Sequence, residues 1–280
     1  MPPQQRLATL RTAFALLFAA LAACSQDGSA QGPSASASAP RIELTVYAAT
    51  SARDALQNLE TRYEEQNPVD LVFNFGSSGD LSNQIVAAAK ADVFLSADDK
   101  EMDKVEAAKL VVEGTRRALL SNRLVVIEPE DGPSRFSSPF EPSQLGGPEV
   151  KLLSLGNVET VPAGRYAKAW LEKVGVWSSV ADRVLPGVDV RAALAAVESG
   201  GAQAGIVYRT DVARSRKARV VHEVVAEDGP KITYPVAVVA GREREREARA
   251  FAEYLASPSA RPTFEEFGFV FLPAEQEDSK

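Results

Sequence analysis

The chain has 280 residues, 45% of them hydrophobic and 25% charged, an ordinary globular composition with enough length for one large domain or two lobes. Its 31 basic and 38 acidic residues give a net charge of −7, which argues against nucleic acid as a partner. One cysteine and one histidine exclude an intrachain disulfide and a Cys/His zinc site.

Arg6 and Arg11 precede an apolar run from Ala13 to Ala23, too short to span a bilayer and suited to the core of a secretory signal over residues 1–23. The run ends in Leu21-Ala22-Ala23-Cys24, which resembles a bacterial lipobox. That resemblance implies cleavage before Cys24, lipid attachment to its sulfur and new amino group, and residence in the periplasm or cell envelope on a membrane anchor. A plain secretory signal with an incidental cysteine is the competing reading. Residues 25–40 are rich in Ser, Ala, Gly and Pro and read as a flexible tether. Coil scaling gives it a mean span of about 20–25 Å. Loss of residues 1–23 removes two arginines and no acid, leaving a net charge of −9.

From Arg41 onward, apolar runs alternate with helical patterns, the mark of an α/β protein. Leu44 to Ala49 reads as a buried strand, after which Thr50-Ser51 opens a helix over about 52–66. Leu71 to Phe75 is a strand, and Gly76-Ser77-Ser78-Gly79 opens a helix over 81–90. Ala91 to Ser96 is a strand followed by a helix over about 99–108. Arg123 to Ile127 and Lys151 to Leu155 are strands on either side of a Pro/Gly/Ser-rich loop over 131–147. The helix after Pro162-Ala163-Gly164 carries Tyr166, Ala169, Trp170 and Val174 on helical spacing. Val190 precedes a helix over 191–198, and Ala204 to Tyr208 is a strand. His222 falls in a strand or sheet edge, and Tyr234 to Val239 is a further strand. Arg242 to Glu247 alternate in charge as on a solvated helix face, with Glu243–Arg246, Arg244–Glu247 and Glu245–Arg249 at pairing distance in sequence. Phe251, Tyr254 and Leu255 supply the buried stripe of that helix.

Small hydroxyl or backbone-presenting residues recur where strand turns into helix. A helix N-terminus offers unpaired N–H groups and partial positive charge, so it suits an anion. Ser51 and Ser78 sit at two such junctions, Ala163 and Val190 at two more, and Tyr208 ends a strand where its hydroxyl could reach a crevice. Each position also has a plainer reading: Ser51 and Ser78 as N-caps, Tyr208 as a core edge residue, Asp80 as a first-turn charge. Arg53, Arg165 and Arg191 could clamp an anion, but surface pairing with Asp54, Glu159 or Asp189 is simpler. A hydrolase with Ser51 or Ser78 as nucleophile lacks a base, because His222 is the only histidine and no Gly-x-Ser-x-Gly or Ser-x-x-Lys pattern includes either serine. The chain is therefore expected to be no enzyme.

Leu44 to Ser51, Phe75-Gly76-Ser77-Ser78-Gly79, Ala91 to Asp98, Val161 to Ala167, Asp189 to Leu194, Gly205-Ile206-Val207-Tyr208 and Tyr234 to Val239, in this order, resemble the periplasmic molybdate-binding proteins of ABC importers. The likeness covers about residues 41–272. It implies a two-lobed periplasmic-binding-protein fold of type II, each lobe a mixed sheet flanked by helices, joined by two hinge crossovers. One lobe would hold 41–121 plus 237–272, the other 122–236, with 273–280 a C-terminal tail. It further implies molybdate or tungstate held by the hydroxyl and N–H of Ser51 and Ser78, the N–H of Ala163 and Val190, and the Tyr208 hydroxyl. No cofactor and no direct metal-cation ligand is implied. The implied partners are the anion and a membrane permease, with the protein a monomer. Gly76, Gly79 and Lys90 depart from the family pattern without removing a donor. Another tetrahedral oxyanion such as sulfate is the alternative cargo.

Overall fold

The computed structural model describes residues 41–88 and 90–272; the signal segment, Cys24, the tether and the tail at 273–280 lie outside the described residues. The chain opens with β1 (Ile42–Ala49), α1 (Arg53–Gln66), β2 (Val69–Gly76), α2 (Ser78–Ala88), β3 (Val93–Leu95), α3 (Asp99–Ala107) and β4 (Arg117–Ser121). It then crosses to β5 (Leu124–Pro129), β6 (Leu153–Gly156), α4 (Pro162–Lys173), α5 (Trp177–Val180), β7 (Val184–Gly187), α6 (Val190–Glu198), β8 (Ala204–Tyr208), α7 (Arg209–Val212) and β9 (Ala218–Glu223). It returns through β10 (Tyr234–Val238), α8 (Glu245–Leu255), α9 (Arg261–Glu266) and β11 (Val270–Phe271).

Two mixed sheets result, each the floor of one lobe. The first has the order β11-β4-β10-β3-β1-β2, the second β7-β6-β8-β5-β9. β1 is parallel to both β2 and β3, and β6 is parallel to both β7 and β8. Parallel strands joined by helices bury both faces, which explains why the consecutive residues Tyr47 and Ala48 of β1 and Ile206 and Val207 of β8 are all buried. The two crossovers run between β4 and β5 and between β9 and β10. Tyr234 already pairs with Leu120 in the first sheet, so the return crossing precedes it.

Strand register decides which residues meet at the sheet ends. Ala49 of β1 lies opposite Gly76 of β2, which sets Thr50-Ser51 beside Ser77-Ser78. Gly156 of β6 lies opposite Gly187 of β7, which sets the turns leading to α4 and α6 side by side. In both lobes these are the carboxyl ends of parallel strands, where α/β sheets hold ligands. Gly164 is required here, because a Cβ would stand 2.0 Å from the Gly156 carbonyl oxygen. The first turn of α4 therefore docks directly on the end of β6.

Several local expectations are corrected. The helix expected over 81–90 begins at Ser78, since Ser77 is the residue that caps it. Three short strands, β4, β7 and β11, carry no sequence signal of their own; each is brief and partly exposed, with no alternation long enough to read. The charged run 242–247 lies only half on a helix: α8 starts at Glu245. The expected Glu245–Arg249 pair forms at 2.8 Å, whereas Arg242 turns to the fully buried Asp92 at 2.9 Å. No helix among the described residues is long and apolar enough to cross a membrane.

Candidate ligand-binding site

All five residues singled out in the sequence line one cavity of about 210 Å³, its mouth included, between the two lobes. The enclosed part of that space is far below the roughly 300–1,000 Å³ of sites for drug-sized ligands, which excludes a large organic ligand. Ser51 lies in a single 3₁₀ turn, Thr50–Ala52, between β1 and α1, and caps neither helix. Its Oγ is 2.9 Å from the Tyr234 hydroxyl. Ser78 is the first residue of α2, and its neighbour Ser77 performs the capping, accepting from the Asp80 N–H at 3.2 Å. Asp80 is the first-turn charge expected, held by the Ser77 hydroxyl at 2.8 Å. Ser78 Oγ instead accepts from the Ala97 N–H at 2.9 Å. Both hydroxyls thus have a protein partner on one side and keep a free direction into the cavity.

The second lobe brings backbone donors. Pro162 occupies the first turn of α4, so Ala163 follows at a position whose N–H has no intrahelical partner. Val190 is the first residue of α6, whose cap Asp189 accepts from the Ala192 N–H at 2.8 Å. Tyr208 closes the set at the end of β8: it is 1% exposed, and its hydroxyl has no hydrogen-bond partner. Burial pushes the Tyr208 and Tyr234 phenols well above the usual range, so both are protonated donors at neutral pH. An unpaired hydroxyl at that depth is costly, and Tyr208 lines the cavity.

No cationic side chain lines the cavity; its one charged residue is Asp189, turned toward Thr50 Oγ1 at 3.2 Å and the α6 N-terminus. Of the three acids expected to pair with the arginines, only Asp54 forms an ion pair with one of them, Arg191, and it does so from the other lobe. Arg53 lies over the Phe75 ring, 4.5 Å from its centroid. Arg165 of the second lobe grips Asp98 and, at 2.9 Å, Glu101 of the first lobe, and Glu159 contributes only its carbonyl. Arg191 joins Asp54 of the first lobe at 2.8 Å to Asp211 of its own lobe at 2.9 Å. These pairs, with Thr50–Asp189, tie the lobes together around the cavity. A Cβ on Gly79 would stand 2.2 Å from the Thr160 carbonyl oxygen, so backbone also meets backbone across the cleft.

Burial raises Asp211 to about 7, against the lowering effect of Arg191. An acid raised in the folded state binds a proton that the unfolded chain has released, so its contribution to stability declines as pH rises from about 4 to 7. Asp211→Asn is therefore expected to flatten that decline. The check is the melting temperature of wild type and variant from pH 4 to 8; parallel curves would refute it.

His222 lies on β9, the edge strand of the second sheet, stacked on Phe140 with centroids 4.8 Å apart. Among the described residues no three His, Cys, Asp or Glu side chains cluster as metal ligands. Sequence reasoning missed the roles of Tyr234 and Asn122 behind Ser51 and of the acids Asp98, Glu101 and Asp211, and it named Asp54 as an arginine partner without the contact across the cleft. Tyr234 is visible in the sequence only as a strand residue, and nothing local pairs it with Ser51.

The chain matches the family described as bacterial extracellular solute-binding protein over residues 44–270. It is 39% identical to the molybdate-binding protein ModA of Escherichia coli over 229 residues, covering 81% of this chain and 89% of that protein. It is 36% identical to the putative ABC transporter substrate-binding lipoprotein YvgL of Bacillus subtilis over 244 residues, covering 87% and 92%. Among solved structures it resembles the substrate-binding domain of a putative molybdenum ABC transporter from Clostridium difficile, at 34% identity and a TM-score of 0.64, covering 82% of this chain and 99% of that one.

Proposed function

Because the chain belongs to the bacterial extracellular solute-binding proteins, we propose that it captures molybdate in the interlobe cavity and delivers it to the permease of an ABC importer. The observation that carries this reading is the Tyr208 hydroxyl, buried without a partner where two serine hydroxyls and two helix N-termini converge. Molybdate is a tetrahedral dianion without protons near neutral pH, so every oxygen accepts. On this reading Ser51 and Ser78 donate hydroxyl and N–H protons, Ala163 and Val190 donate N–H protons, and Tyr208 donates its phenol proton. Each charge-assisted bond contributes about 1.5–3 kcal/mol. Neutral donors against a net charge of −7 make the helix N-termini the local source of attraction.

Tungstate, of nearly the same size and charge, fits equally well. Sulfate shares the charge and is excluded only by being too small to touch all donors at once. Phosphate keeps a proton near neutral pH and needs an acceptor, and the one carboxylate lining the cavity, Asp189, already accepts from Thr50 Oγ1 and the Ala192 N–H. On this reading the lobes are 41–121 plus 234–272 and 122–233, the second boundary lying before Tyr234 rather than at 236/237 because β10 joins the first sheet from Tyr234, and they close on the anion by rotation about the two crossovers. The similarity to a named lipoprotein supports a lipid on Cys24, which would hold a monomeric carrier at the envelope membrane. This is a carrier's site, without a base or nucleophile pair.

Thermal shift on residues 41–280 with each of the four anions tests the reading, since a ligand bound only by the folded state raises the melting temperature. Molybdate and tungstate are expected to raise it at micromolar concentration, and sulfate and phosphate to need far more. A response to sulfate with none to molybdate would assign the cavity to sulfate.

A further inference from the structure

We infer that Asn122 and Tyr234 are positioning residues that turn the Ser51 proton into the cavity through a one-way chain of hydrogen bonds. The inference rests on the anion-capture reading and extends it to two residues outside the cavity wall.

The direction of the chain follows from one contact. Asn122 lies between β4 and β5, in the first crossover, and its Oδ1 accepts from the Arg123 backbone N–H at 2.9 Å. A backbone N–H can only donate, so this contact fixes which end of the amide is oxygen. The amide nitrogen then faces Thr210 Oγ1 at 2.9 Å and the Tyr234 hydroxyl at 3.2 Å, donating to both. With its oxygen accepting a hydrogen bond from Asn122, Tyr234 must place its own O–H, and its other partner is Ser51 Oγ at 2.9 Å. Tyr234 is fully buried, and a donor left unpaired there is costly. Ser51 Oγ therefore accepts from Tyr234, has no second partner, and lines the cavity. Its proton is the free one.

Without this chain the Ser51 hydroxyl could rotate, donate to Tyr234, and show its lone pairs to an oxyanion. That orientation repels the ligand. The chain removes it in advance, so the anion meets a donor already aimed. Ser78 is treated the same way by the Ala97 N–H, a donor that likewise cannot reverse. The Ser51 chain differs in its route, because Asn122 belongs to one crossover, Tyr234 opens β10 after the other, and Thr210 belongs to the second lobe. The aim of Ser51 thus depends on groups that move when the lobes do.

The test is calorimetric titration of molybdate into wild type, Tyr234→Phe, Ser51→Ala and the double variant, with the melting temperature of each unliganded protein as a control. Tyr234→Phe is expected to bind about tenfold more weakly, and in the Ser51→Ala background the same change is expected to cost less than about twofold. A general loosening of the fold would weaken binding by the same factor in both backgrounds, and that result would overturn the inference. So would wild-type affinity in Tyr234→Phe. Should Tyr234→Phe fail to fold, Asn122→Asp reverses the chain at constant size, since a carboxylate accepts where the amide donated. It is expected to cost at least tenfold with Ser51 present and clearly less with Ser51→Ala, where only the added charge acts; equal losses would overturn the chain. The wild-type titration separates the two readings. Silence with molybdate, tungstate, sulfate and phosphate would sink anion capture itself, whereas wild-type binding without the coupling sinks only the positioning role.

Discussion

Tyr208→Phe is expected to weaken molybdate binding by roughly 10- to 150-fold while leaving the unliganded protein at least as stable as wild type. The range is one charge-assisted hydrogen bond of about 1.5–3 kcal/mol converted to an equilibrium constant. The two halves of this expectation have the same cause. In the closed structure the Tyr208 hydroxyl is buried without a partner, so without ligand it costs stability and with ligand it supplies a bond. Phenylalanine keeps the ring, which packs 5.7 Å from that of Tyr234, and removes only the orphan group. Calorimetry gives the affinity and a melting curve without ligand gives the stability. A variant that loses binding and also melts well below wild type would make Tyr208 a packing residue; one that binds as wild type would take its hydroxyl out of the site.

The parts of this site that are legible in the sequence are those where function and local structure coincide. Ser51, Ser78, Ala163 and Val190 all lie in the first residues of helical turns, so the pattern that predicts the turn also exposes the donor. The alternating pattern likewise announces an α/β protein, whereas its division into two sheets is implied only by the family resemblance. Two kinds of information are out of its reach. The first is division of labour among adjacent serines: Ser77 and Ser78 are equally good caps by sequence, and only the Ala97 N–H shows that Ser78 is spared for the cavity. The second is pairing across the lobes. Arg191 lies two residues from Asp189, which makes that pair the natural guess, yet its guanidinium reaches Asp54, 137 positions away. Local spacing cannot anticipate such contacts, because they depend on how far the lobes have closed. The short strands β4, β7 and β11 escape for a related reason: each is held by its neighbours in the sheet rather than by its own alternation.

These cross-cleft pairs also divide the work of binding. If the cavity donors bind the anion as proposed, apparent affinity is their strength multiplied by the fraction of protein able to close. Asp54–Arg191, Thr50–Asp189 and Arg165 with Asp98 and Glu101 act only on closure. Overall charge does not steer the anion in, because the chain, like its proposed cargo, is negative. The closed state must then be held by contacts that the open state hands back to water.

Arg165→Met is accordingly expected to weaken molybdate binding by about 10- to 100-fold without touching a ligand contact, and to do so through the dissociation rate. Arg165 extends from α4, two residues beyond Ala163, and meets the side chains of Asp98 and Glu101, which are 6% and 7% exposed. Asp98 caps α3 by accepting from the Glu101 N–H at 3.1 Å, and Glu101 accepts from Ser82 Oγ, so neither acid can swing away. Burial already raises Asp98, opposed by Arg165. Removing the guanidinium leaves two carboxylates facing each other in a closed cleft, a loss that typically costs about 2–5 kcal/mol for a buried pair, discounted here because reopening returns both to water. Association starts from the open protein, where the pair is absent, so stopped-flow mixing should show a nearly unchanged on-rate and a faster off-rate. Adding Asp98→Asn and Glu101→Gln should restore much of the affinity, since the penalty lies in the stranded charges rather than in the lost attraction. An Arg165→Met protein that releases molybdate as slowly as wild type would show that the ion pair only offsets its own desolvation, and that closure rests on the anion alone.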